Sequence, residues 1–411
     1  MARVSAAFAR IRRIDHELRA FVALARLDGA DRPDAPLAGR TVAIKDVIDI
    51  AGLPTLAGSK ARFDVAPAET DAAIVRLLRN AGATVVGKTK TTELATMDPT
   101  DTTNPYDPSC TPGGSSSGSA AAVGAGLVDF AVGTQTAGSL CRLAAYCGVA
   151  AFKPSYGVLP TGGMLPLAPS FDTLGLMARK TGHVIAAMGA LTFGAPAQFK
   201  VRPRVAVPDR DWYPDADPAL LAHLDDVRAA LATFTDCVTM PAPFARTPII
   251  TAHREIMAAE AFQVHGHTLA TRAALMGPRI RQLLETGRDL APARVEAARA
   301  IVDAARDTVW CELAAFDAVL TLPIPASAPR TLASTGPADY LIPWTAFHGP
   351  LIVIPGRLDA GSMPLATMLA ARPGADASLA AIAGALAPLV DRLPETAPWA
   401  AAKLTEVPAW T

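Results

Sequence analysis

The chain has 411 residues, 51% hydrophobic and 18% charged, with 38 basic against 38 acidic side chains. That much apolar material builds a substantial core, in one large domain or two smaller ones, and the missing basic stripe argues against a nucleic-acid partner. No window reaches the roughly 18 uncharged apolar residues of a membrane span, so no membrane partner is expected.

Cys110, Cys141, Cys147, Cys237 and Cys311 are irregularly spaced and form neither a disulfide framework nor a CxxC metal pair. That usage suits a reducing, cytoplasmic compartment. The opening segment, MARVSAAFARIRRIDHELRAFVALARLDGA, is charged throughout and reads as an amphipathic helix, not a signal peptide. RTVAIKDVIDIAG is a β-branched apolar run with Lys45 in its middle, and it reads as a buried strand. In ETDAAIVRLLRNAGA, the apolar Ala73, Ile74, Leu77 and Leu78 share one helical face, and Gly82 supplies the stop. TVVGK is a short strand. A Gly/Ser loop follows, then a small-residue helix from about Ser119 to Ala125.

LVDFAVGT reads as a strand, QTAGS as a turn, LCRLAAYCG as a short helix and VAAFKP as another strand. This alternation predicts an α/β layer fold around a mixed, largely parallel sheet with helices on both faces. A joint falls between about Ala195 and Arg204. Beyond it RVAVP reads as a strand, DPALLAHLDDVRAALATF as a helix, and Thr251 to Ala315 as mostly helical. FDAVLTLP and PLIVIPG are late strands that return to the sheet. They favour one domain over residues 1–411, with a mostly helical insertion at about 205–315, over two separate domains.

Three motif matches compete. GATVVGKT, from Gly82 to Thr89, fits the phosphate-loop pattern GxxxxGK[ST]. That loop needs a strand before its first Gly and a helix after Lys-Thr. Here a helix precedes Gly82 and ATVV favours a strand, so nucleotide binding is the minor, different-class alternative to a helix stop and a sheet strand. GSSSG, from Gly114 to Gly118, fits GxSxG with Ser116 as nucleophile. The nucleophile elbow needs an apolar strand just before it, whereas NPYDPSCTPG is loop. His253, His265, His267 and His348 are the candidate triad bases.

The third pattern joins VAIKDVIDIAGLPTLAGS, PGGSSSGSAAAVGAGL and AVGTQTAGSLCRLAAYCGVAAFKPSYG. On these residues the chain resembles the amidase signature family, and within it the bacterial malonamidases. The diagnostic core spans about residues 37–180, and TLASTGPADYLIPWTAFHGPLIVIPG extends the likeness toward the C-terminus. The resemblance implies an amidase that hydrolyses the C–N bond of a small amide without metal or organic cofactor. It implies Ser139 as nucleophile, Ser115 as a bridging serine in a cis peptide, and Lys45 as base. Backbone N–H groups of Thr136, Ala137, Gly138 and Ser139 would form the oxyanion hole, and Arg142 and Gly114 would contact substrate. A homodimer is implied on the same ground, as is a carboxylate-bearing substrate such as malonamate. A carbamate or aryl-amide hydrolase and the A-type subunit of an amidotransferase are alternatives within the same core.

The residue chemistry is coherent without the resemblance. An exposed Lys, with a pKa of about 10.4, is a poor base at neutral pH. Burial in an apolar strand disfavours the charged form and lowers that value. The plain alternative for Lys45 is a snorkelling side chain or a pair with Asp46. For Ser115 it is an ordinary Gly/Ser turn, and for Arg142 a structural salt bridge. Glycines at Gly113 and Gly114 supply backbone freedom. An Arg fork at position 142 suits a carboxylate. Three positions depart from the family pattern: Ala137 replaces a Gly, Leu143 a Pro, and Cys141 a bulkier aliphatic. Cys141 reads as a small packed hydrophobe. Thr134 and Asp172 read as structural, Thr134 bonding near Lys45.

Overall fold

The structure, a computed structural model, describes residues 2–26, 32–199 and 201–405. α1 (Ala2–Leu18) is followed directly by β1 (Phe21–Leu24), a short edge strand. The continuous N-terminal helix expected from the charge pattern is therefore interrupted, and the end of that segment, residues 27–31, lies outside the described residues. The stop has a local cause. The Asp15 carboxylate accepts the N–H groups of Ala20 and Phe21 at 2.8 and 3.2 Å, and Arg19 takes a positive φ of 57°.

β2 (Thr41–Lys45), α2 (Ala73–Asn80), β3 (Thr84–Thr89), α3 (Ser117–Gly124), β4 (Phe130–Gln135), α4 (Cys141–Tyr146) and β5 (Ala150–Lys153) follow the expected order. β6 (Thr173–Ala178) and α5 (Thr181–Leu191) come next, then β7 (Arg204–Pro208), α6 (Pro218–Leu231) and β8 (Asp236–Met240). Three helices form the longest helical stretch: α7 (Arg246–Arg272), α8 (Pro278–Asp289) and α9 (Pro292–Glu312). β9 (Ala318–Thr321), α10 (Ile342–Ala346), β10 (Leu351–Leu358), β11 (Pro364–Ala370), α11 (Asp376–Val390) and α12 (Pro398–Thr405) complete the described chain. Within the stretch expected as a mostly helical insertion, β7 is the expected RVAVP strand, and β8 is a further strand that the sequence reading did not give.

All strands join one 11-stranded mixed sheet in the order β1-β3-β2-β4-β6-β5-β10-β11-β9-β7-β8, with helices on both faces. Parallel pairing lies in two blocks, β3-β2-β4 and β9-β7-β8. The other six pairs are antiparallel. β2 is hydrogen-bonded to parallel neighbours on both sides and buried at every position, as its unbroken apolar run requires. The parallel β3-β2-β4 block brings the C-terminal ends of β2 and β4 to the same side of the sheet.

α3 explains the small-residue run. All of its residues are buried, and it packs on the β2-β3-β4 block. A Cβ added at Gly118 would lie 2.1 Å from the Ala20 carbonyl oxygen and 2.6 Å from Lys90 N. Both obstacles are backbone, so the chain has no cheap way to yield. Gly82 ends α2 at a φ of +89°, and residues 84–89 are strand, so GATVVGKT forms no phosphate cradle. Its lysine, Lys88, is buried and donates to Asp46, Thr55 and the Pro54 carbonyl at 3.0, 2.7 and 2.9 Å. These bonds overturn the nucleotide-binding alternative.

Gly118→Ala should destabilise the fold by about 1–3 kcal/mol through overpacking. Gly182→Ala, at an exposed position in the first turn of α5 with open space around it, should change stability by no more than about 1 kcal/mol, toward greater stability. Urea-unfolding midpoints of the two variants check the contrast.

Candidate active site

Lys45 ends β2. The β2–β4 register sets Ile44 beside Val132 and carries Lys45 toward Thr134. The ammonium nitrogen Nζ lies 2.6 Å from Thr134 Oγ1 and 2.6 Å from Ser115 Oγ. The side chain is fully buried, and no carboxylate is bonded to it among the described residues. Burial therefore dominates, pulling the Lys45 pKa down to about 7, with the nearby Asp172 charge opposing. Asp46 does not pair with Lys45. It pairs with Lys88 on the next strand, at 3.0 Å.

Ser115 sits in the loop before α3, and the Gly114–Ser115 peptide is cis. The Ser115 carbonyl accepts from Thr92 N at 3.1 Å. Glycine is required at 114 because a Cβ there would lie 2.5 Å from Thr335 Cγ2 and 2.8 Å from Thr92 Cγ2. Gly113 has a φ of +88° and lies under Leu143, the residue that departs from the family's Pro. Ser116, the competing nucleophile, is fully buried with Oγ 3.3 Å from both the nitrogen and the carbonyl oxygen of Thr134. None of the four candidate histidines bonds to it among the described residues, and His267 is exposed on α7. His253, His265 and His348 bond through Nε2 to the carbonyls of Thr136, Pro166 and Ser170.

Ser139 lies in the loop between β4 and α4, 7% exposed, and lines a cavity of about 550 Å³ with Thr136, Ala137 and Arg142. Arg142 ties this loop to the Ser115 loop. Its Nη2 donates to the Gly114 carbonyl and its Nη1 to the Gly336 carbonyl, while Nε has no partner among the described residues. It forms no salt bridge among those residues, so the structural-ion-pair alternative is not what is found. Cys141 is buried, and burial pushes its thiol up to about 12, as a packed hydrophobe would behave. Among the described residues, no cluster of three or more His, Cys, Asp or Glu side chains is placed to hold a metal ion.

Four positions matter more than their sequence signal suggested. Gln135 Oε1 accepts the N–H groups of Leu140 and Cys141 at 3.1 and 2.9 Å, and its Nε2 donates to Thr345 Oγ1 at 2.9 Å. It therefore satisfies the free amides at the start of α4. Asp172 accepts from Thr136 Oγ1 at 2.5 Å and from the N–H groups of Leu167 and Ala168. Burial raises its pKa to about 6 against those hydrogen bonds. His253 and Thr345 hold carbonyls of the loop between β4 and α4, at Thr136 and Ala137. Gln135 and Asp172 stand in readable motifs. For His253 the signal was a lone His in a mostly helical stretch, weighed as a triad base, and Thr345 stands in the C-terminal stretch that carries the family likeness with nothing local to mark its role.

Comparison with known proteins gives this geometry its context. The family model described as Amidase matches residues 4–380. The A-type subunit of the Methanospirillum hungatei glutamyl-tRNA(Gln) amidotransferase is 47% identical over 154 residues, covering 36% of this chain and 35% of that protein. The chain thus spans about a third of the length of that curated relative. A solved structure described as that of an amidase superposes with a TM-score of 0.84 at 25% identity, covering 95% and 96% of the two chains. The A-type subunit of the Thermotoga maritima glutamyl-tRNA(Gln) amidotransferase superposes with a TM-score of 0.78 at 26% identity, covering 93% and 90%. These named relatives are an amidase and amidotransferase subunits, not malonamidases. With the family model matching over residues 4–380, the chain belongs to the amidase family, whose members are hydrolases acting on amide C–N bonds.

Proposed function

We propose that this chain hydrolyses a small amide through an acyl-enzyme on Ser139, with Ser115 and Lys45 passing its proton. The observation that carries the reading is the fully buried Lys45 Nζ at 2.6 Å from Ser115 Oγ, with burial holding its pKa near 7. An amine that is largely neutral near pH 7–8 can take a proton from a hydroxyl. Ser139 Oγ attacks the substrate carbonyl carbon. Its proton passes to Ser115 Oγ as the Ser115 proton passes to Lys45 Nζ. The C–N bond breaks and the same relay protonates the leaving nitrogen. Water then attacks the acyl ester, releasing the carboxylic acid and restoring Ser139. Amide groups of the 136–139 loop hold the oxyanion.

The cavity charges support a substrate that carries a negative group. Arg254 is paired with Asp339 at 2.6 Å and Glu255 with Arg294 at 2.7 Å. Arg142, also lining the cavity, has carbonyl hydrogen-bond partners only and forms no ion pair among the described residues, with the charge of Asp339 acting on it from a distance. A malonamate-like acid amide fits that imbalance, with carbamates and aryl amides as the neutral competitors. A second reading rests on the relatives' names: an A-type subunit that works in a glutamyl-tRNA(Gln) amidotransferase. Strands from β1 to β11 share one sheet, which supports treating the chain as one amidase domain.

Three outcomes are expected. Ser139→Ala abolishes adduct formation with a fluorophosphonate, read by intact mass, without loss of the folded thermal transition; an adduct on Ser116 would overturn the assignment. The pH profile of kcat/KM rises through about pH 7, because only the deprotonated Lys45 accepts the proton, and then levels off. Lys45→Ala removes that limb and lowers turnover about 10³-fold; a wild-type limb near pH 10 would show an ordinary solvated lysine instead. Arg142→Ala lowers kcat/KM for malonamate at least about tenfold more than for a neutral short amide. Equal losses would assign Arg142 only to holding the Gly114 loop, and glutamine turnover that needs a partner protein would favour the second reading.

A further inference from the structure

Three successive carbonyls of the nucleophile loop are held from outside it. The Thr136 carbonyl accepts from His253 Nε2 at 2.8 Å, the Ala137 carbonyl from Thr345 Oγ1 at 2.6 Å, and the Gly138 carbonyl from Arg142 N at 3.1 Å. A trans peptide is planar, with C=O and N–H on opposite sides. Fixing each carbonyl therefore fixes the opposite direction for the N–H of the next residue. Those residues are Ala137, Gly138 and Ser139, whose N–H groups have no hydrogen-bond acceptor among the described residues. Ala137 and Ser139 line the cavity.

We propose that His253 and Thr345 are positioning residues that lock the peptide planes of this loop and so aim its amides at the reacting oxygen. The inference rests on the proposed acyl-enzyme reading. His253 does this from α7, which packs chiefly on α8 and α9, and Thr345 from α10. A carbonyl oxygen only accepts, so His253 holds its proton on Nε2. Nδ1 then has no partner among the described residues. Burial lowers the imidazole pKa to about 4, so the ring stays neutral and this single donor persists across the working pH range. Phe171 packs against the ring in a tilted contact, with centroids 4.2 Å apart and planes at 31°, and fixes its place. Thr345 Oγ1 also accepts from Gln135 Nε2, and its one proton has the Leu341 carbonyl at 3.0 Å as a second acceptor beside the nearer Ala137 carbonyl, so the clamp and the cap on α4 share one hydroxyl.

The test uses a fluorophosphonate, whose phosphoryl oxygen occupies the oxyanion position while Ser139 Oγ forms the P–O bond, fluoride leaves and the proton passes to Lys45. Inactivation is resolved into kinact and KI, so no natural substrate is needed. His253→Phe keeps an aromatic ring against Phe171 and loses the donor; His253→Gln restores an amide donor at similar reach. Thr345→Val and Thr345→Ser make the same pair. Loss of a whole oxyanion donor costs about 10²–10³-fold. Loosening its aim should lower kinact at least about tenfold in H253F and T345V, with KI within about twofold. H253Q and T345S should stay within about threefold of the parent.

A kinact in H253F within twofold of the parent overturns the clamp. So does a folded H253Q as slow as H253F, because the loss then follows ring packing. If H253F does not fold, the Thr345 pair decides on the same criteria. Should the parent form its adduct away from Ser139, the acyl-enzyme reading fails; an adduct on Ser139 with unimpaired clamp variants leaves that reading intact and removes only this one.

Discussion

The site depends on the desolvation of one amine. Water stabilises an ammonium far better than a protein interior does, so a buried lysine either finds a compensating anion or loses its proton. Among the described residues three lysines are buried to 1% exposure or less, and they resolve this differently. Lys88 pairs with Asp46, and that pair knits β3 to the turn after β2. Lys153 donates to the Pro154 carbonyl, and burial pulls its pKa to about 8. Lys45 meets two hydroxyls, from Ser115 and Thr134, that can accept or return a proton. Hydroxyls solvate the amine without fixing its charge, which is what a proton shuttle requires.

The surroundings preserve that balance. Asp172 is the carboxylate whose charge acts on Lys45, but it spends its oxygens on Thr136 and two backbone amides, and burial raises its own pKa. A closer carboxylate would have held Lys45 charged. The same carboxylate orients Thr136, so the amine's electrostatics and the shape of the nucleophile loop are linked through one side chain.

Close approach of backbone explains the glycine and alanine content around the site. α3 is buried along its whole length because its side chains are small, and it delivers the Ser115 loop to the end of β2. Arg142 then ties Gly114 to α4. The two serine loops are held by side-chain bonds and by single backbone bonds such as Thr92 N to the Ser115 carbonyl, not by strand pairing, so their relative position depends on α4, α7 and α10 as well as on the sheet.

The sequence by itself determined the chemistry-bearing types and most nearby elements. An unbroken apolar run around Lys45, a small-residue run after Ser115 and a Gly-containing turn before α4 are local patterns, and local patterns survive in one dimension. It also showed why GATVVGKT is a strand, since ATVV favours extended backbone. The edge strand β1 was masked because Asp15 reverses the chain within an otherwise helix-like, charged stretch. Only the tertiary structure decided that Asp46 pairs with Lys88 and leaves Lys45 free of it, that Arg142 bonds carbonyls, and that His253 and Thr345 grip the nucleophile loop. Each of these joins residues far apart in the chain, and the hydrogen bonds that select them depend on ångström-scale positions set by packing, which no spacing along the chain encodes.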